Sequence, residues 1–197
     1  MNLGKTAKAF TVFETAIGAC SIVWNARGVV GVQLPEASGD KTRARTLKRY
    51  PNAEEAAPPA SVRDAMGKIV RLLSGEPVDL STIALDMNDV PAFNRRVYEI
   101  ARTVQPGNTI SYGEITARMK EPREVARDVG QALGQNPFPI IVPCHRVLAA
   151  NGKPGGFSAP GGVATKLRLL SIEGAKTGDA PTLFEDLPLS ARPAKRS

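Results

Sequence analysis

The chain has one histidine and two cysteines in 197 residues. That scarcity excludes a structural zinc site built from cysteine and histidine alone, which needs four such ligands. Cys20 and Cys144 lie far apart, so there is no Cys-x-x-Cys redox motif. No apolar run approaches the roughly 20 residues of a membrane-spanning helix. The first residues, Met1-Asn2-Leu3-Gly4-Lys5, lack the apolar core of a secretory signal, so the expected address is the cytoplasm. The glycine-rich stretch from Asn151 to Gly162 has no phosphate-loop lysine pattern, and no internal repeat is present. No metal, no cofactor and no membrane partner is expected.

What is present is ordinary in bulk and unusual in charge. Hydrophobic residues make up 42% and charged residues 23%, as in soluble globular proteins. The length suits one ordinary domain or two small ones sharing a core. The formal charge is +7 and the pI about 9.7. Such a balance favours an anionic partner, nucleic acid first. Part of the excess lies in the segment Ala191-Arg192-Pro193-Ala194-Lys195-Arg196-Ser197.

Three β-branched and aromatic runs open the chain: Phe10–Phe13, Cys20–Trp24 and Val29–Leu34, parted by turn-forming residues around Gly18 and Gly28. They predict a three-stranded meander. Cys20 then reads as a small buried hydrophobe. A charged helix is expected over 40–50, and another carries Val62, Met66, Ile69, Val70 and Leu73 to a cap at Gly75. Leu80 to Leu85 suggests a short strand, and residues 86–91 a domain boundary. Phe93, Val97, Ile100 and Val104 predict a helix stopped by Pro106-Gly107. Ser111-Tyr112-Gly113-Glu114 fits a capping box that opens a helix to about Met119. A further helix carries Val125, Val129 and Leu133, and the pair forms a helix-turn-helix candidate. A last helix over 163–172 carries Val163, Leu167 and Leu170 and ends at Glu173-Gly174.

On the second helix of that pair, Ala126, Gly130 and Gly134 form a stripe of tiny side chains flanked by Arg123, Arg127 and Gln131. Glycine costs a helix about 1 kcal/mol relative to alanine. The cost is tolerated where another backbone must approach, either within the protein or from the groove of a basic helix's ligand. Asn136-Pro137-Phe138-Pro139 is a rigid loop leading to Ile140-Ile141-Val142-Pro143-Cys144-His145-Arg146. There the single histidine adjoins a cysteine. A cysteine nucleophile needs a base and a positive surrounding to reach the thiolate. In an extended segment adjacent side chains point apart, so a bend or a bridging water must connect the two. These residues alone leave a reactive thiol without a substrate. Three classes stay open: a group-transfer enzyme, a helix-turn-helix module that binds without transfer, and a cysteine hydrolase.

Ile110–Glu114, Val125–Gly130, Gly134–Pro137, Ile141–Arg146 and Leu169–Gly174, in this order and spacing, resemble the alkylguanine-DNA alkyltransferases, the methylated-DNA–protein-cysteine methyltransferases. The resemblance spans about Phe93 to Gly174, and its most specific motif is Pro143-Cys144-His145-Arg146. It implies an α+β fold in two parts. Residues 1–88 would form an RNase H-like α/β layer around the meander. Residues 89–175 would form a winged-helix/helix-turn-helix domain for DNA binding and transfer, and 176–197 a disordered basic tail.

The resemblance also implies a reaction and its residues. A monomer would act on double-stranded DNA containing O6-alkylguanine, and on O4 of thymine, after flipping the damaged nucleotide. Cys144 would accept the alkyl group in a single turnover. His145 would be the base through a water, Glu173 its orienting carboxylate, Asn136 the hinge, and Tyr112 the donor to the departing guanine. Arg127 would replace the flipped nucleotide, with Ala126, Gly130, Arg123 and Gln131 against the DNA. Val147, Ser158, Phe157 and Arg146 would line the pocket. The sequence departs from the family in having Phe157 where tyrosine is common, and in a longer loop, Ser158-Ala159-Pro160-Gly161-Gly162. Asp128 stands beside the expected finger, and ligands for an N-terminal zinc are lacking.

Overall fold

A computed structural model describes residues 7–175. The meander forms as expected. Strands β1 (Lys8–Phe13), β2 (Cys20–Asn25) and β3 (Gly28–Gln33) pair antiparallel in sequence order. Alternation sorts the side chains by face. Cys20, Ile22 and Trp24 join the main core. Val23 packs with Phe10 and Ala53 on the other face. A fourth strand, β4 (Ala53–Glu55), adds parallel to β1 and was not expected from its short acidic sequence. The strand expected over Leu80–Leu85 does not form. Only Leu85 bridges, to Val29, while Leu80 and Ile83 turn into the core from irregular backbone.

Helix α1 (Gly39–Arg49) begins at Ser38, whose side chain caps Lys41 N. It docks by hydroxyls. Thr42 Oγ1 donates to Ala19 O (3.0 Å), and Thr46 Oγ1 meets Ser21 Oγ (2.5 Å). Helix α2 (Ala60–Leu73) buries Val62, Ala65, Ile69, Leu72 and Leu73 against the sheet's main-core face, and Gly75 follows with φ +93.

Helices α3 (Ala92–Arg102), α4 (Tyr112–Arg118) and α5 (Ala126–Gly134) pack together. The capping box at α4 is complete: Ser111 Oγ accepts from Glu114 N, and Glu114 Oε2 accepts from Ser111 N. A 3-10 turn over Arg123–Val125 precedes α5. Tyr98 fixes α3 to α5. Its ring stands edge-on to Phe138 at 6.5 Å, and its buried hydroxyl donates to Ala132 O at 2.8 Å.

In the second half the Cys144–His145 pair takes the bent alternative: Cys144–Arg146 is a 3-10 turn entered from Pro143, not an extended segment. Pro143 has no N–H for a ladder. Cys144 N instead donates to Val142 O (2.8 Å) and Arg146 N to Pro143 O (2.9 Å). Only then does the short β6 (Val147–Leu148) pair parallel with β5 (Ile110–Ser111).

Helix α6 (Gly162–Ile172) is placed as predicted but rotated. Its buried residues are Lys166, Leu169 and Leu170, while Val163 is exposed. One core cluster runs through both halves of the chain. Val32 N, on the edge of β3, donates to Pro137 O at 2.8 Å and ties the sheet to the loop before Cys144. Among the described residues no helix is long and apolar enough to cross a membrane.

Candidate active site

Asn136 organises the turn that presents Cys144. Its Oδ1 accepts from Phe138 N (2.9 Å), and its Nδ2 donates to Val142 O (2.9 Å) and lies 3.5 Å from Cys144 Sγ. One buried amide thus ties the end of α5 to the cysteine turn and touches the sulfur.

Behind the turn lies a buried ionic group. His145 is 1% exposed, and its Nε2 meets Glu173 Oε1 at 2.9 Å. Arg146 grips the same carboxylate with Nε on Oε2 and Nη2 on Oε1, both at 2.8 Å, and donates from Nη1 to Val104 O. Glu173 caps the C-terminus of α6, an unfavourable place for a carboxylate by the helix dipole. The Arg146 guanidinium and a hydrogen bond from the His145 imidazole offset that. Burial raises its carboxyl, but hydrogen bonds from His145 and Arg146 prevail and bring it down to about 2. Burial lowers the pKa of His145, against the opposing pull of Glu173, so the imidazole is neutral at neutral pH. Its other nitrogen, Nδ1, is buried without a hydrogen-bond partner among the described residues. Such an atom in a native structure calls for an ordered water or a ligand.

Arg146 corrects an expectation. Foreseen as a pocket residue, it is 5% exposed and spends its donors on Glu173 and Val104 O rather than on the cleft. A fork of fixed donors matches a carboxylate in two places at once, and the buried carboxylate wins it.

Lys166 was not foreseen. Its side chain is fully buried, and Nζ donates to Val147 O at 2.6 Å. Among the described residues no carboxylate pairs with it. Burial lowers its pKa to about 8, while the charge interaction with Cys144 pulls the other way. Burial raises the Cys144 thiol; the hydrogen bond from Asn136 and the charge of Lys166 lower it. The signal was in the sequence: Lys166 stands three and four residues before Leu169 and Leu170, on their face of the helix.

Cys144 opens onto a cleft of about 500 Å³ whose walls come from α4, α5 and the glycine-rich loop. Tyr112, Arg127, Gly130 and Gln131 line one side, Phe157 and Ser158 the other. Ser158 Oγ donates to Gly134 O at 2.9 Å and pins the loop to the end of α5. Gly155 takes φ +64, and a Cβ there would lie 3.2 Å from Tyr112 Oη, so glycine permits the loop to close on that ring. Burial raises the pKa of Tyr112, with Cys144 adding to the effect.

The small-residue stripe of α5 is only partly a packing seam. A Cβ at Gly130 would meet the Tyr112 ring at 3.7 Å, whereas one at Gly134 would meet nothing within 4 Å among the described residues. Arg123, Arg127 and Gln131 are exposed and Ala126 half-buried; of these only Arg127 and Gln131 line the cleft. Val147 is fully buried in β6, with its carbonyl engaged by Lys166. No group of three or more histidine, cysteine or acidic residues suited to a metal occurs among the described residues.

Known proteins resemble this chain in sequence and fold. The family model for the DNA-binding domain of 6-O-methylguanine DNA methyltransferase matches residues 92–175. The methylated-DNA–protein-cysteine methyltransferase of Methanothermobacter thermautotrophicus is 34% identical over 154 residues, 78% of this chain and 78% of that one. Its counterpart in Cricetulus griseus is 32% identical over 178 residues, 85% of this chain and 83% of the relative. The crystal structure of Mycobacterium tuberculosis O6-methylguanine methyltransferase superposes with a TM-score of 0.67 at 29% identity, covering 85% of this chain and 93% of that one. A structure of Mycobacterium tuberculosis OGT in complex with DNA gives 0.66 at 29% identity, covering 84% and 92%. With this fold, a cysteine opening on the cleft and relatives matched over most of their length, the chain belongs to the methylated-DNA–protein-cysteine methyltransferase family.

Proposed function

We propose that the protein repairs duplex DNA by moving an alkyl group from O6 of guanine to Cys144, once per molecule. The observation that carries this reading is the placement of Cys144: it lines a cleft that α5 walls with Arg127, Gly130 and Gln131, with a neutral histidine buried behind it. The O4 position of thymine is a second substrate of the same chemistry.

The thiol starts protonated, since burial raises it. A water on the unpartnered Nδ1 of His145 relays the proton, and Glu173 holds the imidazole through Nε2 and takes up the positive charge electrostatically. The thiolate displaces guanine from the alkyl carbon in line, forming a C–S bond as the C–O bond breaks. Tyr112 donates to the leaving base. The backbone of Ser158 reads the base edge, and Phe157 walls the alkyl side; Val147, foreseen beside them, is buried with its carbonyl held by Lys166. A thioether is stable to water, so the protein is consumed.

The target atom lies inside the base stack, so the nucleotide must leave it, at a cost of a few kcal/mol. Arg127, exposed on the cleft rim, fills the gap. The tiny residues Ala126 and Gly130 let α5 sit close to the groove, with Arg123 and Gln131 beside them on the DNA. In this reading residues 1–88 form an RNase H-like layer and 89–175 a winged helix-turn-helix domain that binds and reacts as a monomer, cytoplasmic and associated with the nucleoid. The remainder of the proposed division, 176–197, lies outside the described residues.

Incubation with a duplex containing O6-methylguanine, followed by intact mass spectrometry, should show one methyl added, mapped to Cys144 and absent in Cys144→Ser. An unmodified wild-type mass would end the proposal. Lesion binding that survives unchanged with no transfer would instead favour a binding module. Turnover on an ester or peptide would favour a hydrolase.

A further inference from the structure

We infer that the outer face of α1 is a second contact surface for the DNA backbone, continuous with the cleft beside α5; this rests on the DNA reading above. The sequence of α1 holds Lys41, Arg43, Arg45, Lys48 and Arg49 against Asp40 alone. Its buried residues are Thr42 and Thr46, fastened to β2 and the preceding turn by hydroxyl bonds. Hydroxyl bonds thus dock the helix, while Lys41, Arg45, Lys48 and Arg49 stay exposed, Arg45 and Arg49 on the side next to β3.

Pairing leaves most of this charge uncompensated. Arg43 is held by Glu55 and Arg45 by Glu36. Lys41, Lys48 and Arg49 have no carboxylate within salt-bridge distance among the described residues. Gln33, Ala44, Arg45, Lys48 and Arg49 enclose an open hollow with no acid in its wall. Like charges this close repel, and an anion between them relieves the repulsion.

Position supplies the partner. Arg45 and Arg49 also line a smaller chamber of about 150 Å³ that reaches Gly134, Cys144 and Ser158. Those three residues border the larger cleft as well. Gly134 and Ser158, joined by a hydrogen bond, line both openings. A duplex seated on α5 thus has the basic face of α1 at the far end of the same depression. A polyanion with regularly spaced charges fits a helix that spaces cations along one side.

The test compares dissociation constants for undamaged duplex DNA across a salt series. Each lost phosphate contact lowers the slope of log K against log salt by about 0.9. Lys48→Ala/Arg49→Ala should lower the slope by about 1 to 2 and weaken binding about tenfold near 0.1 M salt. Arg43→Ala, whose guanidinium is already held by Glu55, should match the wild type. Lys41→Ala/Lys48→Ala, which spares the chamber wall, guards against a folding defect and should shift the slope in the same direction. Slopes and affinities equal to wild type in both double variants would overturn the inference. Failure of the DNA reading looks different: the wild type itself would bind without salt dependence, and Arg127→Ala would change nothing.

Discussion

Arg146 holds Glu173 through two hydrogen bonds of 2.8 Å, and the same carboxylate holds His145. The Glu173 side chain is 3% exposed, so water cannot replace either partner. Glu173→Gln should cost about 3–5 kcal/mol, because it strands a buried guanidinium. Thermal or urea unfolding measures this loss. Transfer by whatever fraction stays folded should also slow, since the imidazole loses its anchor.

The same carboxylate sets an acid limit. In the unfolded chain it titrates at its ordinary value near 4.5; in the folded protein it titrates at about 2. Its stabilisation is complete above the unfolded value and is lost as pH falls toward the folded one, amounting to about 3 kcal/mol at neutral pH. His145 acts earlier. Its folded pKa lies below 6.5, so below that pH the unfolded chain takes up a proton that the folded protein refuses. Stability should therefore decline from about pH 6.5 and steeply below 4.5. Urea midpoints across pH should show both limbs, and Glu173→Gln should flatten the lower one.

Lys166 should control the reactivity of the sulfur. With Lys166→Met the positive charge beside Cys144 is gone, and iodoacetamide should label the thiol on the order of tenfold more slowly at neutral pH. The wild-type pH profile should bend near 8, where Lys166 gives up its proton. The methionine variant should lack that bend. Loss of labelling through misfolding is distinguished by circular dichroism.

Asn136→Ala removes the amide that joins α5 to the cysteine turn, leaves Phe138 N without its partner and takes from Val142 O one of its two donors. The expected loss is about 2 kcal/mol. Transfer should fall further than stability, because Cys144 Sγ also loses a polar neighbour. Single-turnover rates at full DNA saturation, set beside unfolding midpoints, separate the two effects.

Local signals made much of this molecule legible. The meander followed from β-branched runs and their turns. The capping box at Ser111 and the placement of α6 followed from spacing. The cysteine, histidine and glutamate of the site were found through motif order, and the structure does bring His145 and Glu173 together. What escaped depends on long-range partners. Strand β4 is acidic and three residues long, stabilised only by its place beside β1. The inward turn of Arg146 depends on Glu173 and Val104, both distant in sequence. Lys166 was overlooked because a helix was assigned by its apolar residues alone, while the buried face includes a cation.

Cys20 has no exposed surface, and burial pushes its thiol up to about 12. To a mild thiol reagent the native protein therefore offers a single sulfur from the described core. A second equivalent of reagent can be consumed only when the strand carrying Cys20 comes away from its neighbours. Counting equivalents over time thus turns an otherwise silent residue into an internal clock for opening of the sheet, read in the same tube as the chemistry at Cys144.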